Sequence, residues 1–123
     1  MKVLFILLAL PVMASKCGKN KENKDTQLQG KVIRVSCASF VVQVLNDDKI
    51  GEDGWKDMMN NNAQYDNVFA ANNACKIPAG VKAGTTIRFK ISSPAQNDCV
   101  ACMMFDGPPG AKYDLTDVEI LEK

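Results

Sequence analysis

The stretch Gly30 to Leu45, GKVIRVSCASFVVQVL, constrains this chain more than any other. Two β-branched runs, Lys31–Ser36 and Phe40–Leu45, flank a short polar turn that carries a cysteine. Val, Ile and Phe at this density favour a pleated, half-buried surface, and Ser-Cys-Ala-Ser gives the chain a place to reverse. A hairpin is therefore expected here, with later strands pairing onto it. On its second strand Phe40, Val42 and Val44 share one face, and Val41, Gln43 and Leu45 share the other.

Strand signals recur downstream. Tyr65–Ala71 reads as a third strand. Thr85–Ser92 alternates most clearly, with Ile87, Phe89 and Ile91 against Thr86, Arg88, Lys90 and Ser92, as expected of a strand with one wet face. Leu115–Leu121 reads as a last strand with Val118 and Ile120 inward. Between these, Lys49–Gln64 is irregular. Trp55, Met58 and Met59 at i, i+3 and i+4 suggest a helical turn that gathers them into one apolar patch. The long connection Ser93–Lys112 holds Cys99, Cys102 and the turn Gly107-Pro108-Pro109-Gly110.

The N-terminus reads as an address. Met1–Ala14, MKVLFILLALPVMA, has one cation at Lys2, an apolar run from Val3 to Leu10 and then small residues. That is the three-part export signal, and the run is short of the about 20 residues needed to span a bilayer. Ser15-Lys16-Cys17-Gly18, followed by the charged run Lys19–Asp25, resembles the start of a bacterial lipoprotein, in which a lipid-modified cysteine becomes the first residue. The resemblance implies a signal peptide over 1–16, lipidation at Cys17, and a solvated tether over 17–27 that leads to a domain over 28–123. It also implies a cell-envelope location, in the periplasm or at the outer membrane, with the membrane as a partner through the anchor. Val12-Met13-Ala14 offers ordinary cleavage after Ala14 as the alternative. Cysteine parity favours the anchor, because removing Cys17 leaves four cysteines to pair.

A domain of fewer than a hundred residues buries only roughly 60% of its unfolded surface and needs staples. Cys37, Cys75, Cys99 and Cys102 are the expected ones. Four cysteines allow three connectivities, and the sequence does not choose among them. Cys99-Val100-Ala101-Cys102 with Met103-Met104 also carries two sharper readings. One is a redox dithiol, although the βαβ context for that chemistry is missing. The other is a soft Cu(I) or zinc site completed by Cys37 and Cys75. In an oxidising compartment disulfides are the default, and Met103 and Met104 are expected to pack.

Five short strands and no strong amphipathic helix indicate an all-β domain, a small five-stranded antiparallel barrel. Over about Gln27–Glu122 the order of elements resembles the OB-fold: a hairpin, a third strand in meander, an irregular connection, a strand introduced by Gly84, a long loop and a closing strand. The helix usual between strands three and four has no room in Asn72–Ala83, which contains Pro78 and Gly80. An immunoglobulin-like sandwich is the alternative, but it would want about seven strands. The OB resemblance implies that all four domain cysteines gather at one pole. It also implies a binding face on strands two and three, for which Phe40, Trp55, Tyr65 and Phe69 are the candidate contacts.

Function classes narrow by elimination. Residues 27–123 hold ten Lys/Arg against twelve Asp/Glu with no basic stripe, so a nucleic-acid partner is not expected. The chain has no histidine, no nucleophile elbow and no phosphate-cradling loop, so neither a catalytic set nor a cofactor site is expected. Asp106, Asp114 and Asp117 read as ordinary surface carboxylates. The acidic residues Asp47, Asp48, Glu52, Asp53 and Asp57 lack the spacing of a calcium loop, and no metal site is assigned to them. What remains is a non-catalytic exported module for a sugar, a peptide or another envelope protein. A structural lipoprotein with no small-molecule ligand is the alternative.

Overall fold

The computed structural model describes residues 27–100 and 102–122. The expected signal peptide, Cys17 and all of the tether before Gln27 lie outside the described residues. The described chain is β throughout apart from one short 3-10 turn. In order come β1 (Leu28–Val35), β2 (Phe40–Val44), β3 (Trp55–Asp57), β4 (Ala63–Tyr65), β5 (Val68–Ala71), the 3-10 turn Ala74–Lys76, β6 (Thr86–Ser92) and β7 (Lys112–Glu122). Five of the strands close a barrel in the order β1-β2-β5-β7-β6, while β3 and β4 form a separate two-stranded sheet. Closure of this meander through β6 and β7 is OB-fold-like, and a closed barrel is not the pair of open sheets that a sandwich requires.

One seam departs from the antiparallel expectation. β5 and β7 run parallel, with Ala70 opposite Lys112 and Ala71 opposite Tyr113. The reason is parity: a ring with an odd number of strands cannot alternate direction at every seam. The other four seams are antiparallel. The short parallel seam is reinforced by Asn73, whose side chain donates to Leu115 O and accepts from Leu115 N, both at 2.8 Å. This buried amide acts as one more rung of the ladder just beyond the end of β5.

Alternation builds the interior. Val32, Val42, Phe69, Ile87 and Phe89 are fully buried, and Phe40, Val44 and Leu115 join them in one cluster. Phe69 packs against Phe89 at 5.9 Å and edge-on against Tyr113 at 5.2 Å between ring centroids. Each such side chain contributes roughly 1.5–3 kcal/mol by leaving water. Gly30 marks a close approach in the barrel wall. A Cβ there would stand 2.6 Å from Val42 Cγ1 and 2.9 Å from Phe89 Cε1, so no larger residue fits without displacement.

A bulge in β1 decides what happens outside the barrel. Val32 pairs with Val42, but Arg34 pairs with Val41, so Ile33 is the extra residue. Strict alternation would aim Arg34 at the barrel interior beside Val32. The inserted residue resets the phase, and Ile33 and Arg34 both face the outer side with Val41. On that side the β3–β4 hairpin lies across the barrel wall, with Trp55, Val41 and Val68 buried together and Ile33 and Tyr65 packed against them.

This hairpin replaces the helical turn expected from Trp55, Met58 and Met59. Trp55 and Asp57 alternate inward around exposed Lys56, as strand residues do. Met58 and Met59 fall in the turn, are exposed, and do not join Trp55 in a common patch. The last strand also begins three residues earlier than expected. In it Val118 is half-buried and Ile120 faces solvent beyond Asp117, whose φ of 53° interrupts the alternation.

Candidate functional site

The four domain cysteines meet at one pole of the barrel, as the OB-like order implies. Cys37, in the β1–β2 turn, bridges to Cys102, and Cys75, in the 3-10 turn after β5, bridges to Cys99. The two Cα separations are 5.6 and 5.4 Å, within the ordinary span of a disulfide. Cys99 and Cys102 therefore pair with distant partners and not with each other. With all four sulfurs oxidised, the redox dithiol and the four-sulfur metal site have no thiolate to work with among the described residues. Those residues also hold no group of three or more His, Cys, Asp or Glu side chains placed for a metal ion.

The two bridges hold a long strap over the pole, Ser93–Ala111, whose described residues carry no regular structure. The strap starts beside β5, where Asn72 Nδ2 donates to Ala95 O and to Asp114 Oδ1, both at 2.8 Å. Asn97 continues the seam, donating to Asn72 O at 3.2 Å and accepting from Cys99 N at 2.8 Å. Lys76 and Asp98, the neighbours of the second bridge, form an exposed ion pair at 3.3 Å. The hydrogen bond from Lys76, aided by a backbone hydrogen bond and by the ammonium charge, holds the Asp98 carboxyl below its ordinary value.

Beneath the strap lies a cavity of about 460 Å³. Its walls are the β1–β2 turn from Val35 to Phe40, then Ala71, Asn72, Ala74 and Cys75, and Asn97, Cys99 and Val100 of the strap. Among the described residues no charged side chain lines it. Asn72, Asn97, Ser36, Ser39 and the bridged cysteines Cys37, Cys75 and Cys99 line it together with small apolar residues such as Ala38 and Ala74. Both bridges border the cavity, so its rim is fixed covalently.

Past Cys102 the strap turns down toward the hairpin and is pinned by a buried polar cluster. Arg34 Nη1 donates to Asp57 Oδ1 at 2.6 Å, and Arg34 Nη2 lies 3.2 Å from Asp106 Oδ1. Ser36 and Ser39 hydroxyls donate to Asp106 Oδ2 at 2.5 and 2.9 Å. The guanidinium lies 5.2 Å from the centre of the Trp55 ring, and Trp55 Nε1 donates to Gly107 O at 2.8 Å. Barrel, hairpin and strap thus share one charge cluster. Removing a single partner from such a set costs about 3–5 kcal/mol, because the remaining charges stay buried.

The residues expected to grip a ligand are placed otherwise. Phe40 and Phe69 are in the barrel core. Trp55 and Tyr65 pack together on the hairpin, their rings tilted by 33° with centroids 6.1 Å apart, against the outer wall formed by β2 and β5. Phe40, Trp55 and Phe69 are buried in packing, and Tyr65 is half-buried beside Trp55 on the hairpin that lies over the outer wall. The strap residues that frame the cavity carried no chemical signature beyond the cysteines. Asp106, read as a surface carboxylate, is fully buried. No known protein-family pattern matches the chain, and comparison with curated proteins gives no significant match.

Proposed function

We propose that the chain is an exported, lipid-anchored binding module without catalytic activity, and that its ligand is an uncharged stretch of peptide or protein held in the cavity at the disulfide pole. The observation that carries this reading is a cavity of about 460 Å³ lined by Asn, Ser and small apolar residues and bordered by both disulfides. Walls that are held covalently need little ordering on binding, and that lowers the entropic cost of capture. A neutral lining favours main-chain and apolar groups over phosphate, carboxylate or ammonium, whose desolvation it could not offset. Sugar is the weaker candidate, since the aromatics that would stack on a pyranose ring are committed to packing.

Export is supported by the pairing of all four domain cysteines, which suits an oxidising extracytoplasmic compartment. Anchoring rests on Cys17 and the signal before it. The test is a screen of a random peptide library against the oxidised protein, followed by amide shift mapping of the selected peptides. Shifts centred on Ala38, Asn72 and Asn97, abolished by Ala38→Trp, support the reading. Binding that survives Ala38→Trp and maps elsewhere rejects the cavity, and a library that yields no binder favours a structural lipoprotein.

A further inference from the structure

Opposed residues of an antiparallel pair alternate between those that exchange two main-chain hydrogen bonds and those that exchange none. The β2–β5 seam keeps this rhythm over Gln43–Val68, Val42–Phe69 and Val41–Ala70 and then stops. Phe40 and Ala71 come next, lie within their strands, and do not pair. Their main-chain groups nevertheless point into this seam. Ala70 N and Asn72 N donate to Ala111 O and Tyr113 O on the β7 side, so Ala71 between them turns to β2. Ser36 N donates to Ser39 O across the β1–β2 turn, so Phe40, one residue on, turns to β5. The Val41–Ala70 step uses the Ala71 N–H and the Phe40 C=O. The Phe40 N–H and the Ala71 C=O are left over, and no partner among the described residues takes either. Both residues are buried, and a buried main-chain group without a partner is rare.

Phe40 and Ala71 also line the cavity at the disulfide pole, one from each side of the parted seam. Each side has its own bridge to the strap, Cys37–Cys102 from the β1–β2 turn and Cys75–Cys99 from the segment after β5. We propose that this parted seam takes one trans peptide unit from an extended segment of a partner protein. The C=O of that unit accepts from the Phe40 N–H, and its N–H donates to the Ala71 C=O. In a trans peptide unit these two groups point in opposite directions, as a donor and an acceptor on opposite sides require. The inference rests on the cavity reading and deepens it, because recognition then goes through the main chain. Such a site accepts any side chain that small lining residues such as Ala38 and Ala74 admit. It excludes an ester or an X–Pro bond, since neither has an N–H to give.

The experiment titrates the full disulfide-bonded chain with N-acetyl-trialanine amide as the probe and follows main-chain amide and carbonyl resonances by NMR. The expected result is that the Phe40 amide proton moves downfield and the Ala71 carbonyl carbon moves with it along one binding curve. Three analogues of the probe, each with one alanine replaced by lactic acid, put an ester oxygen in place of one N–H at a time. One of the three should bind at least roughly tenfold more weakly, because it leaves the buried Ala71 carbonyl unpaired. Equal affinity of the probe and all three analogues overturns the proposal. So does binding that shifts Asn72 and Asn97 but neither Phe40 nor Ala71, and that result leaves the cavity reading intact. A probe that shifts no residue of the cavity overturns the proposal as well, while the peptide library decides the cavity reading separately.

Discussion

The barrel and the strap solve the same problem by opposite means. In the barrel, backbone ladders run along every seam, and the apolar side of each strand meets a shared core, so stability is spread over many small contacts. The described residues of the strap from Ser93 to Ala111 form no ladder, and among their side chains only Asp106 and Pro109 are buried. It is fixed at points instead: two disulfides, the Asn72–Asn97 seam, one charge cluster and one tryptophan hydrogen bond. A distributed region loses a little when one residue changes, whereas a pinned region moves when one pin is drawn. The cavity is roofed by this pinned region, with Asn97, Cys99 and Val100 on its wall.

Reduction should separate the two regions most strongly. On the loop-closure estimate, opening the Cys37–Cys102 bridge, with a sequence separation of 65, costs roughly 4 kcal/mol, and the Cys75–Cys99 bridge, with a separation of 24, roughly 3.5 kcal/mol. Reductant should lower the urea midpoint sharply, and below that midpoint the strap amides should lose exchange protection before those of β1, β2 and β6. A midpoint that ignores reductant would falsify the stapling role of both bridges.

A smaller effect is expected at the junction of the regions. Arg34→Ala strands Asp57 and Asp106 without their cation and should destabilise the domain by about 3–5 kcal/mol. The same change to Asp57→Asn/Asp106→Asn in the alanine background should recover part of that loss, because the buried charge goes with it. If Arg34→Ala costs less than an ordinary surface substitution, the cluster does not pin the strap.

The smallest effect belongs to the exposed pair beside the second bridge. The Asp98 carboxyl sits below its ordinary value chiefly through its hydrogen bond from Lys76, so the contribution of this pair is present above the ordinary carboxylate range and is lost as pH falls through the depressed value. Lys76→Ala should return the Asp98 titration toward 3.8, as read by carboxyl NMR. The urea midpoint at neutral pH should hardly change, because solvent screens exposed pairs. An unmoved titration would mean that the ion pair does not form in solution.

The contrast also explains what could be read in advance. Barrel strands were legible where alternation runs long enough, as in Thr86–Ser92, and the clustering of cysteines followed from the order of strands. The bulge after Val32 was not legible, because an extra residue is defined only against the partner strand. The β3–β4 hairpin was masked by a helical spacing of Trp55, Met58 and Met59, and three residues of true alternation are too few to outweigh it. Asp106 and Asn73 carry no local mark of burial, since their partners lie 67 or more and 42 positions away. The candidate aromatics carry no local mark that separates an open face from a packed one, and Phe40, Trp55 and Phe69 are buried.

The nesting of the bridges bears on how the protein matures. Cys75–Cys99 lies wholly inside the interval spanned by Cys37–Cys102, while Cys99 and Cys102 are near neighbours that remain apart in the native pairing. In an unfolded chain the encounter of Cys99 with Cys102 is favoured over that of Cys37 with Cys102 by roughly 2–3 kcal/mol of closure entropy. The first bond that an oxidant makes is then the wrong one, and correct pairing has to wait until the barrel brings its pole together. Maturation is therefore a proofreading problem, with thiol exchange in the compartment setting the yield of correctly bridged protein.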